Sequence, residues 1–117
     1  MKRIILAEDH AAFRKALAFM LELEPGYKVT GQAGTVAEVH ASRDADFDVA
    51  VVDLLLPDGD GAEVISDLRE TNPEAKILSL SVDRDPVRAL EAGADEVLGK
   101  DVSLSRVVEA VRRLAEN

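Results

Sequence analysis

Five short aliphatic runs punctuate the chain, at residues 4–7, 29–33, 49–52, 77–80 and 97–98. Each is too short for a helix, is rich in β-branched residues, and closes within two positions on Gly, Asp or Ser. They read as strands buried on both faces. The second run is the most polar, with Val29-Thr30-Gly31-Gln32, and reads as an edge strand. Between the runs the apolar spacing becomes helical. Phe13, Leu17, Met20 and Leu21 form one stripe, and Val64, Ile65 and Leu68 another. Leu104, Val107, Val108, Val111 and Leu114 form the clearest.

Local signals mark the ends of the helices. Thr35-Val36-Ala37-Glu38 has the form of a capping box. Pro25-Gly26 and Asn72-Pro73 close the first and third helices. Gly93 stands where a helix hands over to a strand. These signals predict strands at about 3–8, 28–33, 48–53, 76–81 and 95–99, and helices at about 10–23, 35–43, 60–71, 85–92 and 103–115. Alternating strands and helices with strands apolar throughout imply an α/β fold with a parallel sheet covered on both sides. The chain has no Gly/Pro/Ser-rich linker, tandem repeat or low-complexity tract, so 1–117 reads as a single domain.

Composition narrows the chemistry. There are no cysteines and two histidines, which excludes disulfides, thiol catalysis and cysteine-held metals, and disfavours a His-rich zinc site. Aromatics are 3%, so the core is aliphatic. The net charge of −9 would repel nucleic acid and anionic membranes. No apolar run has the length of a membrane span, and the start of the chain is too short and too acidic for a signal peptide. A cytoplasmic location without membrane contact is the expectation.

Open parallel sheets bind ligands beyond the carboxyl ends of their strands. There the sequence places Glu8 and Asp9 after the first strand, Asp53 after the third, Ser81 after the fourth and Lys100 after the fifth. One acidic residue in such a place is commonly a helix cap or turn residue. Three carboxylates gathered together need a cation: two unit charges ~4 Å apart repel by about 4 kcal/mol at an effective dielectric near 20. Lys100 could neutralise one. A hard divalent ion, Mg²⁺ or Mn²⁺, suits the rest. A carboxylate, such an ion and an ammonium are the parts needed to receive a phosphoryl group as an acyl phosphate.

At this point the residues resemble the receiver domain of two-component response regulators, along the whole chain. Arg3-Ile4-Ile5-Leu6-Ala7-Glu8-Asp9-His10 resembles the family's first strand with its acidic pair. Asp53-Leu54-Leu55-Leu56-Pro57-Asp58-Gly59-Asp60-Gly61 resembles the phosphoacceptor loop, with Pro four and Gly eight residues after the acceptor. Ser81, Ala92-Gly93-Ala94-Asp95 and Lys100 complete the pattern. Glu8-Asp9-His10, Phe13-Arg14-Lys15 and Leu23-Glu24-Pro25 are most similar to regulators with a LuxR-type helix-turn-helix output domain.

The resemblance implies a flavodoxin-like sheet of five parallel strands in order 2-1-3-4-5, flanked by five helices. It implies phosphorylation of Asp53 by a sensor histidine kinase. Glu8, Asp9, Asp53 and the Leu55 backbone carbonyl would hold Mg²⁺ (or Mn²⁺), Lys100 would pair with the acceptor, and the Ser81 hydroxyl would bind a phosphoryl oxygen. The chain would switch transcription, with DNA contacted only through an output domain missing from this chain, and could form a homodimer. It would not be an enzyme beyond its own phosphorylation and dephosphorylation. A phosphohydrolase often needs a carboxylate two residues after its nucleophile, and that residue here is Leu55. The alternative is an atypical receiver acting as a phosphorylation-independent interaction module.

Two departures from the family bear on switching. Val97 stands where relatives have an aromatic residue. The stretch from Ser81 to Gly93 is also short, which with Pro86 predicts a fourth helix of about two turns. Among the remaining residues, Leu55 and Asp83 lie where relatives tune acyl-phosphate hydrolysis. His10 reads as a capping or rim residue, His40 as solvated, and Phe13, Phe19 and Met20 as core or partly exposed. Arg69-Glu70 and Arg112-Arg113 read as solvated helix faces. Gly59 and Gly61 are wrongly spaced for a P-loop or dinucleotide fingerprint.

Overall fold

The computed structural model of the chain describes residues 1–41, 46–82 and 86–117. In chain order these form β1 (Lys2–Ala7), α1 (Ala11–Glu22), β2 (Tyr27–Ala33), α2 (Val36–Ala41), β3 (Val49–Asp53), β4 (Leu55–Leu56), β5 (Gly59–Asp60), α3 (Gly61–Thr71), β6 (Lys76–Ser81), α4 (Val87–Ala92), β7 (Glu96–Gly99) and α5 (Leu104–Glu116). The main sheet runs β2-β1-β3-β6-β7, with every pair parallel. Setting aside the two-residue strands β4 and β5, this is the expected 2-1-3-4-5 order.

Alternation along the strands divides the interior into two cores. Ile4, Leu6, Val49, Val51, Leu78 and Leu80 face α1 and α5, packing on Leu17, Leu21, Val107, Val111 and Leu114. Ala7, Ala50, Val52 and Ile77 face the other way, onto Val39, Val64, Ile65, Leu68 and Ala89. Because side chains alternate with period two and both faces are covered, the central strands are apolar at most positions, with Ser79 a buried exception in β6. β3 is buried from Val49 to Asp53. β2 alternates half-buried with exposed residues before Ala33, as an edge strand does. Its register slips beside Ile4 and Ile5, where Thr30 is the extra residue.

The caps follow the sequence signals closely. Thr35 Oγ1 accepts from the Glu38 amide, and Glu38 Oε1 from the Gly34 amide. Asp60 caps α3, accepting from the Ala62 amide, and Ser103 caps α5. Gly93 ends α4 in the left-handed region at φ 119°, where a side chain would be strained.

Some details differ from expectation and one follows it. β1 stops one residue early, leaving Glu8 just beyond the ladder, and β7 starts one residue late, ending at Gly99 with Lys100 next in the chain. β4 and β5 form an antiparallel hairpin that no alternation announces, since each strand has two residues. α4 is six residues long with Pro86 as its N-cap, shortened as expected. The expected ends at 42–43 and 85 lie outside the described residues. Among the described residues, no helix is long and apolar enough to cross a membrane.

Candidate functional site

Backbone pairing continues one residue past the strand ends and sets the site. The Glu8 amide donates to the Ala33 carbonyl at 2.9 Å, the Leu54 amide to Leu80 at 3.0 Å, and the Lys100 amide to Ser81 at 3.0 Å. Glu8, Asp53, Ser81 and Lys100 are therefore fixed by the sheet itself. Glu8, Asp53 and Ser81 are buried.

Lys100 ties the carboxylates together. Its Nζ donates to Glu8 Oε1 at 2.8 Å and to Asp53 Oδ2 at 2.9 Å. It also lies 5.6 Å from the centre of the Phe13 ring, within cation–π range. The other Asp53 oxygen, Oδ1, accepts from the Leu55 amide at 3.0 Å. Burial pushes the Glu8 carboxyl above its ordinary value, although hydrogen bonds from Lys100 and the His10 amide pull it down. Burial also works against the Lys100 charge. Hydrogen bonds to Glu8 and Asp53 outweigh it and hold the ammonium above its usual range. Each ion is tolerable here only because its partners are present.

The outer part of the site is more open. Asp9 stands at the rim, and donor atoms of Glu8, Asp9 and His10 all lie within 4.8 Å of one another. The His10 amide donates to Glu8 Oε1 at 3.0 Å. The His10 side chain is at the rim, as one expected role has it, but it makes no capping hydrogen bond for α1. Glu8 Oε2 is buried with no hydrogen-bond partner among the described residues, an uncommon and costly state for a carboxylate oxygen. Three carboxylates against one ammonium leave two negative charges in excess. The donor set is mainly oxygen, and one of those oxygens is unpaired. Both facts fit a hard divalent cation.

Several residues have structural roles that the sequence reading did not assign. A Cβ on Gly61 would collide with the Asp53 carbonyl oxygen and the Leu54 backbone, while the Gly61 amide donates to Leu54 at 2.9 Å. The glycine eight residues after Asp53 is thus required by close approach of backbones. Asp58 Oδ1 accepts from Val36 at 2.7 Å and Oδ2 from Ala37 at 3.1 Å, holding the start of α2 from the hairpin. Arg88 of α4 pairs with Asp60. Arg14 donates to the Glu8 carbonyl at 2.7 Å.

Arg69 is not the solvated residue its spacing suggested. It donates to the carbonyls of Pro73, Ala75 and Gly93 and to Asp95 Oδ2. Arg113 stays on a solvated face and there grips Glu96 with two hydrogen bonds. His40 is half-exposed yet lies 2.9 Å from Asp67 Oδ2. Leu55 exposes its side chain and so offers no polar group to a water near Asp53. Asp83 lies outside the described residues.

A five-stranded parallel sheet with a buried aspartate, an acidic pair and a lysine at its carboxyl rim is the arrangement that the family resemblance implies. The response regulator receiver domain family matches residues 4–112, and the chain belongs to that family. The DNA-binding transcriptional activator DevR/DosR of Mycobacterium tuberculosis is 36% identical over 116 residues, which cover 96% of this chain and 54% of that protein. A LuxR-family response regulator structure from Aurantimonas sp. SI85-9A1 superposes with a TM-score of 0.86 at 29% identity, covering 97% of this chain and 84% of that one. A response regulator from Burkholderia pseudomallei, solved with a phosphorylated aspartic acid, calcium ion and citrate, superposes at 0.85 with 30% identity, covering 99% and 69%. The chain spans about half the length of the curated relatives it matches.

Proposed function

We propose that the chain receives a phosphoryl group on Asp53 from a sensor histidine kinase and relays that event to an output, with transcription through a DNA-binding domain as the output its relatives suggest. The observation that carries this reading is the grip of Lys100 on both Glu8 and Asp53 at the rim. In the transfer a carboxylate oxygen of Asp53 attacks the phosphorus. The phosphorus–oxygen bond forms as the phosphorus–nitrogen bond to the donor imidazole breaks, and the electron pair leaves with that nitrogen. Lys100 is already beside the nucleophile and would then face the new phosphoryl oxygens. The buried Ser81 would offer its hydroxyl to one of them.

Glu8, Asp9, Asp53 and the Leu55 carbonyl would hold Mg²⁺ or Mn²⁺. When bound, that ion neutralises charge gathering on the transferred group. Its absence would leave Lys100 alone against three carboxylates. Leu55, whose side chain cannot give up a proton, stands two residues after Asp53, the place where a phosphohydrolase often carries its general acid. The role is therefore that of a signalling module.

The test is intact-mass measurement after incubation with a small phosphodonor and Mg²⁺. Wild type should gain one phosphoryl group, and neither Asp53→Asn nor wild type stripped of divalent ions should. No gain on wild type, beside a control receiver that is modified, would refute the reading and leave a phosphate-independent interaction module. Val97 and the six-residue α4 are the observations that favour that second reading.

A further inference from the structure

We propose that His10 is an additional donor to the divalent-cation site and shifts its preference from Mg²⁺ toward later first-row ions such as Ni²⁺. The inference deepens the site described above and rests on the reading that Glu8 and Asp9 hold a divalent cation. Its observations lie in the geometry of the rim. His10 Nδ1 is 3.5 Å from Glu8 Oε1 and 3.9 Å from Asp9 Oδ1. Adjacent donors around a metal with bonds near 2.1 Å are about 3 Å apart and opposite donors about 4.2 Å. With donor atoms of Glu8, Asp9 and His10 all within 4.8 Å of one another, the three side chains come within reach of a common ion once the exposed His10 and Asp9 side chains turn toward it.

Two further features favour that adjustment. The His10 backbone is extended, at φ −73° and ψ 99°, and its amide is anchored on Glu8 Oε1. The backbone of His10 is thus fixed beside the Glu8 carboxylate. Yet the side chain is 75% exposed and can turn without disturbing the core. The buried, unpartnered Glu8 Oε2 is the second, independent sign that something is to be bound. Lys100 occupies Oε1, so Oε2 is the oxygen of that carboxylate left to a ligand.

The chemistry then sets the preference. Mg²⁺ takes oxygen donors and keeps its waters, so an imidazole adds little. Later first-row ions bind nitrogen well and gain from each imidazole. A site of carboxylates alone would rank these ions less steeply than one with His10 in it.

The experiment is calorimetric titration of the untagged chain with Mg²⁺, Mn²⁺ and Ni²⁺, each alone, for wild type and His10→Ala. The expected result is a loss of about tenfold or more in Ni²⁺ affinity, since even outer-shell partners are worth 10–100-fold. Mg²⁺ affinity should change by less than about threefold. In wild type, Ni²⁺ should also broaden the ring resonances of His10 before those of His40, which sits between α2 and α3 and serves as an internal reference. Equal losses for both ions, no loss for either, or His40 broadened alongside His10 would overturn the assignment while leaving the Mg²⁺ site intact. A wild type that binds none of the three ions would overturn the cation reading itself, and this inference with it.

Discussion

The two faces of the sheet are held in different ways. On one, α1 and α5 run 12 and 13 residues and bury Leu17, Leu21, Val107, Val111 and Leu114 against the strands. On the other, α3 has 11 residues and buries Val64, Ile65 and Leu68, but the α2 and α4 beside it have six described residues each and bury Val39 and Ala89. Helices that short are not stable by themselves. They are tied down by polar side chains instead: Asp58 on the start of α2, Arg88 to Asp60, His40 to Asp67, and Arg69 on the end of α4. Most of these ties start from the hairpin after Asp53 or from α3. The α1/α5 face is a scaffold. The α2/α4 face is fastened to the very loop whose charge the proposed phosphorylation would change, and such local charge changes act on elements that are weakly held.

The largest expected effect tests the scaffold side. Leu21 is fully buried between α1 and the sheet. Leu21→Ala should cost about 2–5 kcal/mol, the range for a large-to-small change in a packed core, measured by denaturant unfolding. The loss should be global, lowering protection in every strand. A cost below about 1 kcal/mol, or exchange confined to α1, would remove the distinction between the faces.

Arg69→Ala should do less and do it locally. It would strip partners from the Gly93 and Ala75 carbonyls and from Asp95, which also accepts from the Ile77 amide at 2.7 Å. Unsatisfied groups of this kind cost about 1–3 kcal/mol each when buried. Here Arg69 and Asp95 are about a quarter to a third exposed, so water recovers part of that and the lower end is expected. Hydrogen exchange should accelerate in α4 and at 93–96, with α1 and α5 unchanged. Faster exchange in α5 would show that the two faces are not separable.

The scaffold and most of the site were legible in the sequence because both rest on local pattern. Aliphatic runs and helical stripes place the five main strands and the helices, and strand ends place Glu8, Asp53, Ser81 and Lys100. The ties of the other face were not legible. Arg69 sits on an amphipathic helix beside Glu70 like any solvated arginine. Only the tertiary fold brings Gly93 and Asp95 to it, more than twenty residues on. Asp58 reads as a turn residue, and its partners lie more than twenty residues earlier. Likewise the sequence pattern marks the glycine at 61, but only the path of the backbone past Asp53 gives its reason. Spacing reports what a residue's own element needs; it is silent on polar groups that serve a distant element.

The smallest effect concerns the Asp58 tie, and it is read by pH. The hydrogen bond from the Val36 amide holds the Asp58 carboxyl below its ordinary value of 3.8, with burial opposing and the Ala37 amide assisting. A carboxyl whose pKa is lowered by folding binds protons more readily when unfolded. Its contribution is complete above pH 3.8 and drains as pH falls through the folded value. Amide protection at Val36 and Ala37, corrected for intrinsic exchange, should therefore hold at neutral pH and fall in acid below that point. In Asp58→Asn it should be lower throughout and lose that acid step. Because Asp58 is fully exposed, the change should stay within the first turn of α2 and weaken with salt. An acid step that survives Asp58→Asn would mean α2 is held by its own capping box, where the Glu38 carboxylate accepts from the Gly34 amide, and that the hairpin after Asp53 has no hold on that helix.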